Sequence, residues 1–491
     1  MSTGGLLGWL VLAALVPGAA HLRAGWRKTG LVLVSCYAAL LLAALGVWLA
    51  TDLGSLAGSL VDNSAMTAII AGTAVLAVAW FALIVHSFVV LRPGRLPQGG
   101  QILAGTTAGL LAVLVVVPFG VLGNLAWTSQ ETLNEIFPEA PAEPAGPGSP
   151  AVARPVPEDP WAGRERVNIL LLGGDADGHR PGVRTDSMNL ASVDVRTGNT
   201  VLFSLPRNLE DVRFRPGTPM AQRFPDGFRL PPDPGGGRSD LLNSVWEYAD
   251  AHPELFGGRQ HQGPKVLMDT IGYTLGVKVD WYALVNMWGF ARLVDAIGGI
   301  TLTVEKDVVF GKYNEGLVKA GTRKLKGADA MWYARSRTNS DDYTRMRRQR
   351  CVLGALLTQA DPATVLTRFN KIALATKELI KTDIPRSLLS DLVPLALKVK
   401  NAKVSSVQFV PPLISTGYPD WDKIRGITAK AIRDSTDPRP AVAATSSAGP
   451  AAEAGAAVTA SPTPRKTPKK KATAAENDPV KGLTEGCGGA L

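Results

Sequence analysis

Four long apolar stretches, at residues 6–20, 31–50, 67–90 and 102–127, occupy most of the first 130 residues and leave little polar surface for a water-soluble fold. A helix crosses a bilayer with ~20 apolar residues, and the last three stretches reach that length. The first is shorter and holds Pro17, so it reads either as another span or as the core of a signal peptide. The second stretch follows closely after the basic run 21–28, which has the look of a tight hairpin and favours the spanning reading. The expectation is a bundle of about four transmembrane helices over residues 1–130.

Loop charges orient this bundle. Arg23, Arg27 and Lys28 follow the first stretch, Asp52 and Asp62 the second, Arg92 and Arg95 the third. Basic loops stay in the cytoplasm. Four spans then place the N-terminus and everything after residue 127 on the extracytoplasmic side, where a large polar domain works on envelope material next to membrane lipid. The net charge of +10 would suit nucleic acid, but this topology excludes that partner. The three cysteines, Cys36, Cys351 and Cys487, lie far apart and suggest no pairing. No Cys/His spacing suggests zinc, and the five histidines are scattered.

Residues 131–164 are rich in Pro, Ala and Gly and read as an extended spacer. Residues 434–491 are Ala, Pro, Thr and Lys-rich, too poor in apolar residues to bury a core, and read as a disordered tail whose basic cluster, Arg465 to Lys471, is either solvated or in contact with anionic wall polymer or lipid headgroups. Between them, residues 165–433 alternate strand-like and helix-like segments. The run 167–173 suits a strand buried on both faces, 188–195 and 200–205 form a hairpin about Thr197-Gly198-Asn199, and 281–287, 300–304 and 404–410 are further strands. Segments 241–251, 264–275, 288–297 and 343–358 have helical periodicity. The implied fold is α/β, a mixed central β-sheet covered by helices.

The chemistry concentrates in residues 334–350, which hold six arginines and two aspartates. On a helix starting near Tyr343, the core-facing stripe Val352, Leu353 and Leu356 continues back through Gln349 and Arg345. An inward arginine cannot escape by deprotonating, so it requires an anion, phosphate or carboxylate, held bidentately. Arg347 and Arg350 fall off the stripe and read as solvated; Asp342 reads as the N-cap. Further polar residues sit where strands end: Asp175, Arg184, Asp186 and Arg207. Two carboxylates among arginines suit a pyrophosphate bridged by Mg²⁺. Singly, each has a plainer reading: Asp175 as a turn residue, Asp186 as a partner of Arg184, Arg207 as a surface arginine.

Taken in order, these segments resemble the LytR-CpsA-Psr family of envelope phosphotransferases. The resemblance rests on Asn168 to Asp175, on Arg184-Thr185-Asp186-Ser187-Met188, on Ser204-Leu205-Pro206-Arg207-Asn208, on Leu293 to Ile300, and on Gly327 to Arg337 followed by Asp342, Arg345, Arg348 and Gln349. It implies transfer of a glycopolymer from a polyprenyl-pyrophosphate carrier to peptidoglycan, leaving a phosphodiester link. Asp175 and Asp186 would hold Mg²⁺. Arg184, Arg207, Arg335, Arg337, Arg345 and Gln349 would bind phosphate oxygens, and Asp342 would fix a neighbouring arginine or accept a proton. The lipid tail would enter a groove between sheet and helices. A membrane-tethered receptor or regulator that binds pyrophosphate lipid without transfer is the competing reading. The family's Pro-Arg-Asp is here Pro206-Arg207-Asn208, and its Lys-Ile-Asn is here Leu241-Leu242-Asn243, with Arg238 nearby as a substitute basic contact.

Overall fold

The computed structural model describes residues 2–50, 62–138, 161, 163–175, 184–232, 234, 237–311, 313–338, 340–361, 380–436 and 479–487. The spacer from 139 to 160, His179, Asp52 and the basic cluster of the tail lie outside the described residues.

The anchor comprises α1 (Thr3–Leu15), α2 (Ala19–Arg23), α3 (Arg27–Ala50), α4 (Asn63–Val90) and α5 (Gln98–Ile136). Three helical stretches, Arg27–Leu49, Asn63–Arg95 and Gln98–Ile136, are long and apolar enough to cross a membrane. Helix α1, with 13 residues, spans only ~20 Å. It breaks at Pro17 and Gly18, whose φ of +101° belongs to the left-handed region, and its Leu6 and Leu10 are buried in a cluster with Ala104 and Ala108 of α5. The expected fourth span is therefore a short helix packed into the bundle. The histidines read as scattered include a pair: His21 Nε2 and His86 Nδ1 lie 2.7 Å apart, their rings stacked. Helix α5 has 39 residues, ~58 Å, well beyond a ~30 Å hydrocarbon core, and its far end meets the polar domain.

That domain is built on β1 (Arg166–Asp175), β2 (Arg184–Asp194), β3 (Thr200–Leu205), β4 (Trp281–Asn286), β5 (Ile300–Val304), β6 (Val308–Phe310), β7 (Gly316–Val318), β8 (Gly321–Leu325), β9 (Ile380–Thr382), β10 (Val404–Gln408) and β11 (Lys481–Gly482). The main sheet is mixed, in the order β11-β10-β3-β2-β1-β4-β9, with β1 parallel to β4, β3 parallel to β10 and the other pairs antiparallel. The hairpin β2–β3 turns at Gly198, φ +78°, where Asp194 Oδ1 accepts from the Arg196 and Thr197 amides. The helices are α6 (Pro219–Arg223), α7 (Val245–Ala251), α8 (Gly263–Leu275), α9 (Met287–Ala296), α10 (Gly327–Arg335), α11 (Asp342–Gln359), α12 (Leu389–Asn401) and α13 (Trp421–Thr436).

Alternation along β1 divides the two faces of the sheet. Leu170 and Leu172 enter a core with Met188, Phe203, Leu284 and Val407, closed by residues of α7, α8 and α13. Ile169 and Leu171 point to the other face and are half-buried. The strand is thus fully packed on one face, while the other carries the groove described below. A second core joins α9, α10 and α11 to the hairpin pair β5–β8 through Val294, Ile300, Leu325 and Val352.

Helix α10 sits on α9 because Gly327 has no side chain. A Cβ there would stand 1.8 Å from the Ala291 carbonyl oxygen, and the Gly327 amide donates to Asp295 Oδ1. Gly327→Ala is expected to cost about 3 kcal/mol through this backbone clash, measured as a lowered unfolding midpoint.

The end of the chain departs from expectation. Strand β11 pairs antiparallel with β10, Leu483 and Cys487 are buried, and Cys351 is disulfide-bonded to Cys487 across 136 residues. Residues 479–487 are therefore part of the folded domain, not of a disordered tail, and the cysteines read as unpaired include a pair. No local spacing signals such a long-range closure, and the composition around it is polar.

Candidate functional site

The polar end of the site begins with an irregularity between β1 and β2. Gly173 pairs with Ser187 but Gly174 pairs with Thr185, so Asp186 is an extra residue that the bulge turns out of the ladder. Asp175 and Arg184 are cross-strand partners one step further, and their side chains lie outside the described residues.

Arg207 follows β3 after Pro206. Its Nη1 donates to Asp186 Oδ1 at 2.5 Å, and its Nε lies 3.4 Å from Asp342 Oδ1. Asp342 Oδ2 accepts from Arg345 Nη2 at 3.0 Å, and the same Nη2 reaches the Asp186 carbonyl at 3.3 Å. Asp186, Arg207, Asp342 and Arg345 thus form one chain of contacts joining β2, the loop after β3 and α11. The carboxylates that orient Arg207 come from Asp186 and Asp342, so Asn208 need not supply one. Arg238 is committed elsewhere, to Glu210 and Asp240, and does not serve as the substitute contact.

Arg345 is buried and its Nε has no hydrogen-bond partner. Burial, above all, holds its guanidinium below the usual range; Asp342 works against this, Arg207 adds to it, Asp186 opposes it and Arg337 adds to it again. An arginine keeps its charge nonetheless, so the site holds a desolvated cation with incomplete compensation. Arg335, exposed at the end of α10, lies over the Trp332 ring, which stacks on Phe310. Arg337 is exposed on the following loop, and Gln349 donates to the Ala334 carbonyl.

The helix cap is Asp341, whose Oδ1 accepts from the Thr344 amide at 2.6 Å; the Thr344 side chain first, and this amide second, hold its carboxyl below the ordinary range. Asp342, read as the cap, is instead the first helical residue and faces the arginines. Arg350, read as solvated, is buried and donates to the Glu485 carbonyl, because the end of the chain covers that face. Arg347 is exposed and pairs with Glu305. Arg348 donates to the Ser336 carbonyl and to Ser340 Oγ, bracing the loop that carries Arg337.

Beside this cluster runs a groove of about 320 Å³ between the sheet and α9, α10 and α11. Leu171, Val285, Phe290, Leu293 and Met331 line it together with Val352, Leu353 and Leu356, the stripe read from the sequence as core-facing. Asp186, Arg335, Arg345 and Gln349 line it as well. The walls contributed by β1, β4 and α9 were not legible in the sequence; alternation in β1 and β4 was the available signal, and it does not distinguish groove from core.

Asp186 suits a hard divalent cation: it is an oxygen donor, about one-third exposed, and turned toward the site by the bulge. Among the described residues no group of three or more His, Cys, Asp or Glu side chains converges on a metal position. An ion held partly by phosphate oxygens does not require one.

Fold and site together define a membrane-anchored α/β protein with an apolar groove that ends among arginines. The chain belongs to the LytR_cpsA_psr family, matched over residues 148–412. It is 28% identical over 244 residues to the Enterococcus faecalis protein named polyisoprenyl-teichoic acid--peptidoglycan teichoic acid transferase TagU, covering 49% of this chain and 67% of that one. A Bacillus cereus protein of the same name is 28% identical over 230 residues, 46% of this chain and 64% of its own. The chain thus spans about two-thirds of the length of these curated relatives. Among solved structures, Bacillus subtilis TagV is 20% identical, covering 56% of this chain and 99% of that one, with a TM-score of 0.38.

Proposed function

We propose that this protein transfers a glycopolymer from a polyprenyl-pyrophosphate carrier to peptidoglycan, on the extracytoplasmic face of the membrane. The observation that carries the reading is the buried, incompletely paired Arg345 on the wall of an apolar groove. The groove accepts a hydrocarbon chain, and the guanidiniums accept the diphosphate at its end. The names of the two relatives, which join a polyisoprenyl-linked polymer to peptidoglycan, support the same reaction.

The acceptor sugar hydroxyl attacks the phosphorus that carries the glycan. A new P–O bond forms, the bridging P–O bond breaks, and the polyprenyl monophosphate leaves while the hydroxyl proton passes to solvent. Arg207 and Arg345 stabilise charge on the phosphate oxygens, the main task in phosphoryl transfer. Arg335, Arg337 and Gln349 orient the glycan-bearing phosphate; Arg184 joins them through its place beside Asp175 in the ladder. Asp342 contacts both arginines, and we assign it to positioning Arg207 and Arg345. We assign Mg²⁺ to Asp186 and Asp175, where it would neutralise further phosphate charge when bound.

The helix pair α4–α5 supports this placement. Arg92 and Arg95 lie at its closed end, while Asn63 and Gln130 meet at the end that carries the domain. With basic residues kept on the cytoplasmic side, this arrangement supports an extracytoplasmic domain on a protein that crosses the membrane more than once.

The test uses the full chain in lipid nanodiscs with a polyprenyl-pyrophosphate glycan, Mg²⁺ and peptidoglycan fragments, with the product read by mass spectrometry. A phosphodiester-linked product is expected, reduced at least tenfold by EDTA and by Asp186→Ala. Tight carrier binding with no product would mark a receptor instead.

A further inference from the structure

The geometry points to a second role for the anchor: α4 and α5 form a platform that seats the domain so that the carrier's isoprenoid chain passes from the bilayer along one sheet face into the groove, with Arg386 as the pin. This rests on the proposed lipid-linked donor.

Arg386 belongs to the domain, in the short turn before α12, yet its partners belong to the anchor. Its Nη1 donates to the Gln130 carbonyl at 3.0 Å and to Asn134 Oδ1, its Nη2 lies 3.4 Å from the Met66 sulfur, and its amide donates to the Pro138 carbonyl. The side chain is buried, which is rare for an arginine. Around it, Met66 and Leu133 of the anchor pack with Ile384, Leu389 and Val393 of the domain. A flexible tether would bury neither a guanidinium nor an apolar cluster at this junction.

The cluster also includes Ile169 and Trp281, register partners on the parallel strands β1 and β4. The next pair on the same face, Leu171 and Ala283, lines the groove, as does the following pair, Gly173 and Val285. Asp186 and the arginines stand at the strand ends beyond. One sheet face therefore reads, in order, anchor, apolar groove and arginines, with about 17 Å from Ile169 to Gly174 at ~3.3 Å per residue. An isoprenoid chain rising from the bilayer beside α5 would meet the apolar end of this path first and deliver its diphosphate to the far end.

The experiment compares two donors: a long-chain polyprenyl-pyrophosphate glycan embedded in phospholipid vesicles with the full-length protein, and a water-soluble analogue with a two- or three-isoprene chain. Arg386→Ala is expected to lower turnover of the embedded donor at least tenfold and to leave turnover of the soluble donor within twofold. Asn134→Ala, which weakens the pin from the anchor side and leaves the domain's sequence intact, is expected to act in the same direction and covers the case in which Arg386→Ala fails to fold. Equal losses on both donors for Asn134→Ala, or no loss on either, would overturn the inference. Lack of transfer by the unmodified protein with both donors would instead overturn the proposed function, so the two failures are distinguishable.

Discussion

Replacing Arg345 with alanine is expected to lower transfer by about 10²- to 10³-fold, the loss of ~2.7–4 kcal/mol of transition-state stabilisation typical when one preorganised charge-stabilising donor is removed. Arg345 is buried beside the groove, its Nη2 is shared between Asp342 and the Asp186 carbonyl, and its Nε has no partner. In such a desolvated place a guanidinium interacts with phosphate far more strongly than at the surface. Lysine would keep the charge but lose the planar fork, so Arg345→Lys is expected to recover only part of the activity. The fold should survive, because Asp342 retains Arg207 and the helix retains its cap at Asp341. Steady-state kinetics with both variants, alongside thermal unfolding, checks this. A non-cooperative unfolding transition in Arg345→Ala would make the residue structural and remove it from the mechanism.

Arg345 also shows what the sequence makes legible. The three-and-four spacing from Val352 and Leu356 back to Gln349 and Arg345 places both polar residues on the inward stripe, and both line the groove. Periodicity fails one turn of reasoning later. Arg350 falls off that stripe and reads as solvated, yet it is buried by residues 135 positions further along the chain. Adjacent aspartates defeat local rules in the same way: either Asp341 or Asp342 satisfies the capping pattern, and only the helix start decides that Asp341 caps while Asp342 is free to meet arginines. Strands β1 to β5 and β10 were readable because alternation and glycine-marked turns are local, whereas β6 to β9 and β11, of five residues or fewer, were not read as strands. The groove was not, since Leu171 and Leu170 are alike in sequence and differ only in what covers each face of the sheet. The seat of the domain on its anchor was invisible for a related reason: Arg386 gives no local sign that its side-chain partners lie 252 to 320 residues earlier.

Breaking the Cys351–Cys487 cross-link is expected to be the largest single loss of stability available in the domain. The two residues are 136 positions apart, and closing a loop of that length in the unfolded chain is worth about 5 kcal/mol on the chain-entropy account, with about 2–5 kcal/mol the usual measured range. More than the loop is at stake. The bond holds Leu483 and β11 against β10, and brings the Glu485 carbonyl to Arg350, whose guanidinium burial already holds below its usual range. Without that carbonyl, Arg350 must return to water, and the helix that carries Arg345 and Gln349 loses its cover. Cys487→Ser is therefore expected to lower the unfolding midpoint by several degrees and to reduce transfer as well. Dithiothreitol should bring the unmodified protein down to the level of the variant and leave the variant itself unchanged. An unfolding midpoint indifferent to both reductant and substitution would show that the end of the chain adds nothing to the domain. Cross-links of this kind form and persist in oxidising compartments, so a stability that depends on one supports the extracytoplasmic placement read from the basic loops, by an argument independent of any charge count.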